Sequence, residues 1–275
     1  MLGGRQQAAV TELAQWWEGI RHGDVGSHAV MLAGPVGWGR STVLDQLSAN
    51  ISAADAQASL VVRISCQSLP GGLGSRAAAL RDGLLTAEVR RQAAALLCRG
   101  RLLNTARPAS GSLLMSGITG TISLLLTSLA ATLAGGAADD YPASEDGAAA
   151  RAARLVAAVS ASAPILVVID DADYLEPGLA VAVIENLIDH HESRVLVVAA
   201  VDLGSDLAAD LTSRARCGRT AGRVHRAVAD PRMGRRSRAE LAEELSPHLT
   251  PAEAEQLARR TETFAEIFAA VQFPC

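Results

Sequence analysis

The chain is organised around the stretch Val30-Met31-Leu32-Ala33-Gly34-Pro35-Val36-Gly37-Trp38-Gly39-Arg40-Ser41-Thr42. It contains a short apolar run, a turn with three glycines, and a pair of hydroxyl residues that opens an amphipathic segment. An apolar run of this kind is typical of a buried strand, and the amphipathic spacing after the turn is typical of a helix. The sequence therefore predicts a strand, a glycine-rich loop and a helix in direct succession.

The turn follows the pattern of a phosphate-binding loop, G-x-x-x-x-G-K-[ST], with arginine where lysine is expected. Glycines allow backbone conformations in which successive N–H groups point inward, and the amino-terminal end of the next helix adds positive potential there. We therefore expect the loop to bind a polyphosphate, with the Ser41 hydroxyl on a bound Mg²⁺. The predicted nucleotide-binding residues are Gly34, Pro35, Val36, Gly37, Trp38, Gly39, Arg40, Ser41 and Thr42.

The loop departs from this pattern at position 40, where arginine stands in place of lysine. Lysine is a compact point charge whereas arginine is a broad planar fork, so Arg40 can neutralise phosphate without reaching the β,γ-bridge in the same way. The chain contains no lysine, and its 25 basic residues are all arginine, which suggests a general replacement with function retained. The alternative is a glycine-rich turn that binds no phosphate.

A second motif lies at 164–175, where an apolar run is followed by Asp170, Asp171 and Asp173. The apolar run predicts a strand that is buried on both faces. Carboxylates at the end of such a strand are unfavourable unless a cation lies there. This is the Walker B pattern, in which Asp170 would hold Mg²⁺ and Asp171 would direct the attacking water. Arg40 and Asp171 are thus the predicted catalytic residues. The alternative is a strand that simply ends in an acidic turn.

The whole pattern predicts a three-layer α/β fold with about five parallel strands, helices on both faces and a small helical lid. We assign 1–230 to a P-loop NTPase domain and 231–275 to the lid. Asp202 and Ser205 follow the fourth strand and are candidates to contact the γ-phosphate or the water. The other strands are predicted at 59–66, 194–201 and 223–229, and the main helices at 1–28, 76–105 (broken at Gly83 and Gly100), 145–163, 176–191 and 207–216.

Composition excludes several classes of function. The net charge of −4 and a pI of about 5.9 give no global field that would attract nucleic acid. The chain has no C-x-x-C pair and no histidine spacing that would complete a zinc site, so we expect reduced thiols and a cytoplasmic protein. No signal-peptide pattern is present at the start. The four scattered cysteines are Cys66, Cys98, Cys217 and Cys275.

Residues 108–138 carry no charge, and their length alone is that of a transmembrane helix. Serine, threonine and glycine are frequent in the stretch, and a single crossing would place the two halves of the nucleotide site on opposite sides of a bilayer. We therefore favour a buried or partner-facing helical insertion. Membrane association, through a re-entrant hairpin with both ends on one side, is the less favoured alternative.

Nine arginines lie between 214 and 238, and three interpretations remain open for them. They form a solvated basic rim, or they include an arginine that reaches the nucleotide of a neighbouring subunit, for which Arg214 and Arg216 are best placed. The third interpretation is a nucleic-acid patch, which is weakened because no aromatic residues interleave to stack on bases.

The order of a phosphate-loop strand, an intervening strand, an acid-tipped strand and a polar-tipped strand resembles that of the additional-strand P-loop ATPases. More narrowly, the chain resembles the AAA+ and STAND group of origin-recognition-like and signal-transducing ATPases. The residues that carry this resemblance are 34–42, 165–173 and the pair Gly4-Arg5. The resemblance implies that Arg5 precedes the first helix and lies near the adenine, and that ATP and Mg²⁺ are the cofactors.

The favoured function is therefore ATP binding with slow hydrolysis, used as a conformational switch. Such switches self-associate or act on partner protein chains, and this chain is expected to be a module of a longer product or to work with separate partners. A nucleotide-binding scaffold without hydrolysis is the second hypothesis, and a DNA-associated AAA+ ATPase is the third. Adenine is favoured because the guanine motif N/T-K-x-D is absent from a chain without lysine.

Overall fold

The computed structural model describes residues 4–34, 37–54, 59–69, 73–105, 145–190, 192–202, 204–217 and 222–228, together with 239, 242–243, 246, 249–261, 267 and 270–271. The strands are β1 (His28–Ala33), β2 (Leu60–Ser65), β3 (Ile165–Asp170), β4 (Val195–Val201) and β5 (Val224–Val228). The helices are α1 (Gly4–His22), α2 (Arg40–Ala54), α3 (Leu73–Leu84), α4 (Ala87–Thr105), α5 (Glu145–Ser160), α6 (Pro177–Ile188), α7 (Asp206–Cys217) and α8 (Pro251–Arg260).

The five strands form one parallel sheet in the order β2-β3-β4-β1-β5. In this order β4 lies between β1, which precedes the glycine-rich loop, and β3, which carries the aspartates. All five strands run in the same direction, so their carboxyl ends lie at the same edge of the sheet. This edge is where a ligand binds in open α/β sheets.

Two hydrophobic clusters cover the two faces of the sheet, which confirms the predicted three-layer fold. Helices α1 and α2 pack on one face, and α3 to α7 pack on the other. Every residue of β3 and β4 is buried. Their near-continuous valine, leucine and isoleucine content is what a strand covered on both faces requires. The predicted segment boundaries for these two strands differ from the structure by one residue.

The segment predicted as one helix at 76–105 consists of two helices. Helix α3 ends at Leu84 and α4 begins at Ala87, so the predicted break at Gly83 is confirmed to within two residues. The predicted break at Gly100 is wrong, because α4 continues to Thr105. One glycine weakens a helix by about 1 kcal/mol, which is too little to end a long one. At the real break, the Thr86 hydroxyl accepts the N–H of Val89 and begins α4.

Two predicted segments lie partly or wholly outside the described residues. The uncharged stretch 108–138 is entirely outside them, and no helix in the described ranges is long and apolar enough to cross a membrane. The C-terminal lid is represented chiefly by α8. Helix α8 begins at Pro251 with a capping box, in which Thr250 and Glu253 bond each other's backbone N–H.

Candidate nucleotide-binding site

The glycine-rich loop and the tip of β3 meet at the carboxyl edge of the sheet. The Ser41 hydroxyl at the start of α2 donates a hydrogen bond of 3.1 Å to Oδ1 of Asp170, the last residue of β3. These residues are 129 positions apart in the chain. The structure therefore brings together the two segments that the sequence analysis assigned to one site.

Two glycines of the loop adopt left-handed backbone conformations, with φ of 86° at Gly37 and 73° at Gly39. A Cβ atom at Gly39 would lie 2.6 Å from Nε2 of Gln6. The same amide donates to the Trp38 carbonyl at 3.0 Å, so α1 braces the loop from outside. The positive φ favours glycine at position 39, and a side chain there would displace the Gln6 amide from the loop. Pro35 and Val36 lie outside the described residues.

The Arg40 guanidinium is 7% exposed and is bonded within the chain. Its Nη1 donates to the Gly34 carbonyl at 2.9 Å, and its Nη2 lies 3.4 Å from Oδ1 of Asp171. Nη1 also lies 3.8 Å from Oδ2 of Asp173. The arginine at the lysine position thus joins the start of the loop to the acidic turn after β3.

Asp170 is 5% exposed and has a separate partner for each carboxylate oxygen. Oδ1 accepts the Ser41 hydroxyl, and Oδ2 lies 3.5 Å from Nη2 of Arg63 on β2. Arg63 also pairs with Asp45 on α2. The register of the sheet places Ser65 opposite Asp170, so Arg63 reaches along its own strand towards the tip of β3. Asp170 is therefore held in a fixed orientation beside the loop.

Asp171 follows β3 in a left-handed conformation, with φ of 52° and ψ of 48°. Among the described residues it is the only non-glycine residue with a positive φ. Such conformations concentrate at functional sites. Burial raises the pKa of the Asp171 carboxyl, and the Asp170 carboxylate raises it further, while Arg40 opposes both. A raised pKa makes this carboxylate a stronger base than an ordinary aspartate.

Asp173 received no role in the sequence analysis, although it belongs to the same acidic motif. Its Oδ2 accepts the backbone N–H of Asp202 at 2.6 Å, which joins the turn after β3 to the tip of β4. Its Oδ1 is buried and has no hydrogen-bond partner among the described residues. The signal that could have indicated it was the third carboxylate in the Asp-Asp-Ala-Asp run.

The polar residues predicted at the tip of β4 have local bonds in the structure. Oδ1 of Asp202 accepts the Gly204 N–H at 3.3 Å. The Ser205 hydroxyl donates to the Asp202 carbonyl and accepts the Ala208 N–H at 3.2 Å, so it caps the start of α7. These bonds build the turn into α7, and contact with phosphate stays a prediction for both residues.

The buried thiol of Cys66 lies next to the acidic cluster, immediately after β2. Burial raises the pKa of this thiol to about 12, with further contributions from the charges of Asp171, Asp170 and Asp173. The thiol is therefore uncharged at neutral pH and adds no negative charge to the site.

The residues at this edge fit a Mg²⁺–nucleotide complex. A serine hydroxyl and an aspartate oxygen 3.1 Å apart are ligands of the kind Mg²⁺ prefers, and Mg²⁺ takes its other ligands from water and phosphate. No cluster of three or more His, Cys, Asp or Glu side chains arranged for a metal ion occurs in the described part of the chain. Ser41 and Asp170 would hold the ion, which would neutralise phosphate charge when bound.

The basic region after residue 213 is only partly described. Arg214 on α7 pairs with Glu185 on α6 at 2.8 Å, and Arg223 donates to the Ile188 carbonyl at 2.8 Å. The side chain of Arg216 and the arginines from 232 to 238 lie outside the described residues. Arg214 and Arg223 therefore fasten α6 to its neighbours, whereas Arg226 is exposed on β5.

A parallel sheet with β4 between the loop strand and the acid-tipped strand defines the class of P-loop NTPases with an additional strand. Sequence comparison places the chain within this class: the AAA ATPase domain matches residues 4–198, and the chain belongs to that family. It is thus a nucleotide-binding ATPase domain by family, and the family implies use of a nucleotide and typically of Mg²⁺. Comparison with curated proteins finds no match.

Comparison with solved structures agrees with this fold. The chain is similar to the Orc1 protein of Aeropyrum pernix in complex with DNA, with a TM-score of 0.51 and 15% identity over 99% of this chain. It also matches Cdc6p of Pyrobaculum aerophilum, with a TM-score of 0.48 and 13% identity over 98% of this chain. The chain spans 60% of the length of each of these structures.

The family match supports the predicted resemblance at the level of AAA ATPases, while the narrower STAND assignment stays a prediction. One local expectation is wrong. The pair Gly4-Arg5 was expected to precede the first helix, but α1 begins at Gly4. Apolar side chains from Val10 to Ile20 have helical spacing, and the helix extends beyond them towards the start of the chain as far as Gly4. The predicted place of Arg5 near the adenine is not tested, because its side chain lies outside the described residues.

Proposed function

We propose that this chain binds ATP with Mg²⁺, hydrolyses it slowly and uses the change of nucleotide as a conformational switch. The observation that carries the proposal is the hydrogen bond of 3.1 Å between the Ser41 hydroxyl and Oδ1 of Asp170. Both halves of a metal–phosphate site converge there, in a family of ATPases. A glycine-rich turn without ligand would not require a buried aspartate at the end of another strand.

The site residues have distinct roles in this proposal. Backbone N–H groups of the loop and the amino-terminal end of α2 bind the phosphates. Ser41 and Asp170 hold the metal ion, and Arg63 fixes the orientation of Asp170. Asp171 orients the attacking water and accepts its proton, for which its raised pKa is suited. Arg40 neutralises charge on the phosphates.

A connection from the site to the rest of the fold supports a switching role. Asp173 bonds the backbone of Asp202, and the turn after Asp202 begins α7. A change of charge at the tip of β3 therefore acts directly on the start of α7. Self-association or binding of a partner chain would respond to such a movement.

The proposal is tested with purified protein, Mg²⁺ and ATP, by measuring ATP affinity and phosphate release separately. Wild type should bind ATP and release phosphate slowly in a Mg²⁺-dependent manner. Ser41→Ala and Asp170→Asn should lose the Mg²⁺ dependence. Asp210→Asn is the matched control, because this acid is exposed on α7 away from the loop. Absence of ATP binding by wild type would overturn the proposal.

A scaffold that binds nucleotide without hydrolysis is the second candidate. The observation in its favour is that Arg40, the cation of the loop, is engaged with Asp171, the predicted water-directing acid. Mg²⁺-dependent phosphate release well above that of Asp171→Asn would exclude it.

DNA association is the third candidate. It rests on similarity to a protein whose structure was solved in complex with DNA, and at 15% identity that similarity extends to the fold alone. Its minimum requirement is that DNA stimulates phosphate release at moderate salt, because contacts with the DNA backbone are salt-dependent.

A further inference from the structure

Arg40 is held by three groups from two segments of the chain. These are the Gly34 carbonyl at the end of β1, the Asp171 carboxylate directly after β3, and the Asp173 carboxylate two residues later. A planar guanidinium can meet all three because its two arms carry donors in a fixed fork, whereas a lysine ammonium is a single point. The geometry therefore gives arginine at position 40 a use that lysine could not supply.

Asp173 is fixed in place independently of Arg40. Its Oδ2 accepts the Asp202 N–H at 2.6 Å, and its side chain is 21% exposed. The carboxylate cannot turn towards solvent without giving up that hydrogen bond. Its negative charge is thus anchored to the tip of β4 and faces the guanidinium.

We propose that Asp173 is a positioning residue that, with Asp171, holds the Arg40 guanidinium against the end of β3, and that nucleotide phosphates compete with these carboxylates for it. This inference rests on the proposed function, because it concerns the same loop and its nucleotide. Binding of phosphate at the loop draws Arg40 away from both acids. Asp171 is then released to face water, and Asp173 loses its cation while it remains bonded to β4.

The carboxylates compete strongly with phosphate because the Arg40 guanidinium is little exposed. A charge that is 7% exposed is poorly screened by water, so each carboxylate competes effectively with phosphate. Weakening one of the two carboxylate contacts should free the guanidinium and raise nucleotide affinity by about tenfold. A residue that only shapes the turn would have no such effect.

The main test measures ADP affinity by calorimetry for Asp173→Asn, with ADP chosen so that turnover does not interfere. Asparagine keeps a carbonyl oxygen for the Asp202 N–H and removes the charge that faces Arg40. Asp173→Asn should bind ADP about tenfold more tightly than wild type. Asp210→Asn is the control for the loss of one negative charge, because Asp210 is exposed on α7 and none of the described site contacts involves it. It should change the affinity less than about twofold.

A second variant and a second measurement keep the inference testable if Asp173→Asn folds poorly. Asp171→Asn removes the other carboxylate and should also tighten ADP binding. In protein freed of nucleotide, thermal unfolding of Arg40→Ala, Asp173→Asn and the double variant reports the contact itself. The melting temperature of the double variant should fall by less than the summed decreases of the two single variants, because both substitutions remove the same pair.

Unchanged or weaker ADP binding by Asp173→Asn and Asp171→Asn would overturn the competition, as would an equal gain in Asp210→Asn. Strictly additive melting shifts would overturn the positioning of Arg40 by Asp173. If wild type and all variants fail to bind ADP, the proposed function fails and the competition fails with it. In that case the melting temperatures of the single and double variants still show whether Asp173 holds Arg40, so the two failures are distinguishable.

Discussion

The two ends of β1 carry polar clusters that are built in opposite ways. At the carboxyl end, Arg40 pairs with Asp171 and Asp173 and Arg63 pairs with Asp170, so the charges are kept and paired. At the amino end, His28 Nδ1 lies 2.9 Å from Nε2 of His225 on β5. Trp16 of α1 stacks on the His225 ring with centroids 4.2 Å apart.

The difference lies in how each cluster treats charge. Burial, and then the neighbouring His225, lower the pKa of His28, and burial lowers the pKa of His225 against the opposing charge of Glu12. A ring-to-ring hydrogen bond needs one donor and one acceptor nitrogen, so the pair is stable when neutral. The amino end of β1 therefore carries a neutral packed pair, and the carboxyl end, where we propose that nucleotide binds, carries paired charges.

The largest effect should come from removing the catalytic carboxylate at the charged end. Asp171→Asn keeps the shape of the side chain and should reduce phosphate release by about 10²–10⁴-fold, because it removes the proton acceptor. ATP affinity should not fall, since Asp171 binds Arg40 and not the phosphates. Phosphate release and ATP binding are measured on the same preparation. Turnover equal to that of wild type would remove Asp171 from the mechanism.

The next effect concerns the backbone of the loop. Gly39→Ala places a side chain on a residue with φ of 73° and a Cβ atom 2.6 Å from Gln6 Nε2. It should lower the free energy of unfolding by about 1–3 kcal/mol and weaken ATP binding. The matched control is Gly178→Ala in the first turn of α6, where no atom lies within 4 Å of the added Cβ. The control should be neutral or stabilising in urea denaturation, and equal losses in both variants would contradict the role of the loop.

The strands were predictable from sequence where the pattern of apolar residues reflects burial directly. The runs in β3 and β4 have five or more consecutive apolar residues, and strands covered on both faces need such runs. The meeting of Ser41 with Asp170 was predictable because the carboxyl ends of parallel strands share one edge.

Other parts of the site depend on contacts that no local pattern reports. The Asp202 N–H that fixes Asp173 comes from a neighbouring strand, and Arg63 reaches Asp170 across the sheet. The orientation of the Arg40 guanidinium depends on the end of β1, the start of α2 and the turn after β3 coming together. The left-handed conformation of Asp171 is likewise imposed by its surroundings, since aspartate has no strong preference for it.

A smaller effect should appear at the neutral end as a function of pH. The pKa values of His28 and His225 are lowered in the folded state, so the unfolded chain binds more protons as the pH falls through 6.5. Stability should therefore be complete above that pH and decrease below it. Urea denaturation between about pH 5 and 8, followed by tryptophan fluorescence, measures the slope.

Two variants show which groups cause this pH dependence of stability. His225→Phe is the test, and His22→Gln is its control. His225→Phe keeps a ring for Trp16 and removes one titrating group, so the loss of stability at low pH should become shallower. His22 is 60% exposed and pairs with Glu18 on the surface of α1, so its replacement should leave the slope nearly as in wild type. A slope that is unchanged by His225→Phe would show that other groups cause it.

The smallest effect should come from Arg214, one of the two arginines that the sequence analysis considered best placed to reach the nucleotide of a neighbouring subunit. Arg214 is 47% exposed and pairs with Glu185 of the same chain, and surface pairs contribute at most about 1 kcal/mol. Arg214→Ala should therefore change unfolding by no more than that and leave phosphate release unaltered at every protein concentration. Arg40→Ala, by contrast, removes a buried cation and should lower ATP affinity. If Arg214→Ala abolished release while wild-type activity rose with protein concentration, Arg214 would be acting on the nucleotide of a neighbouring subunit.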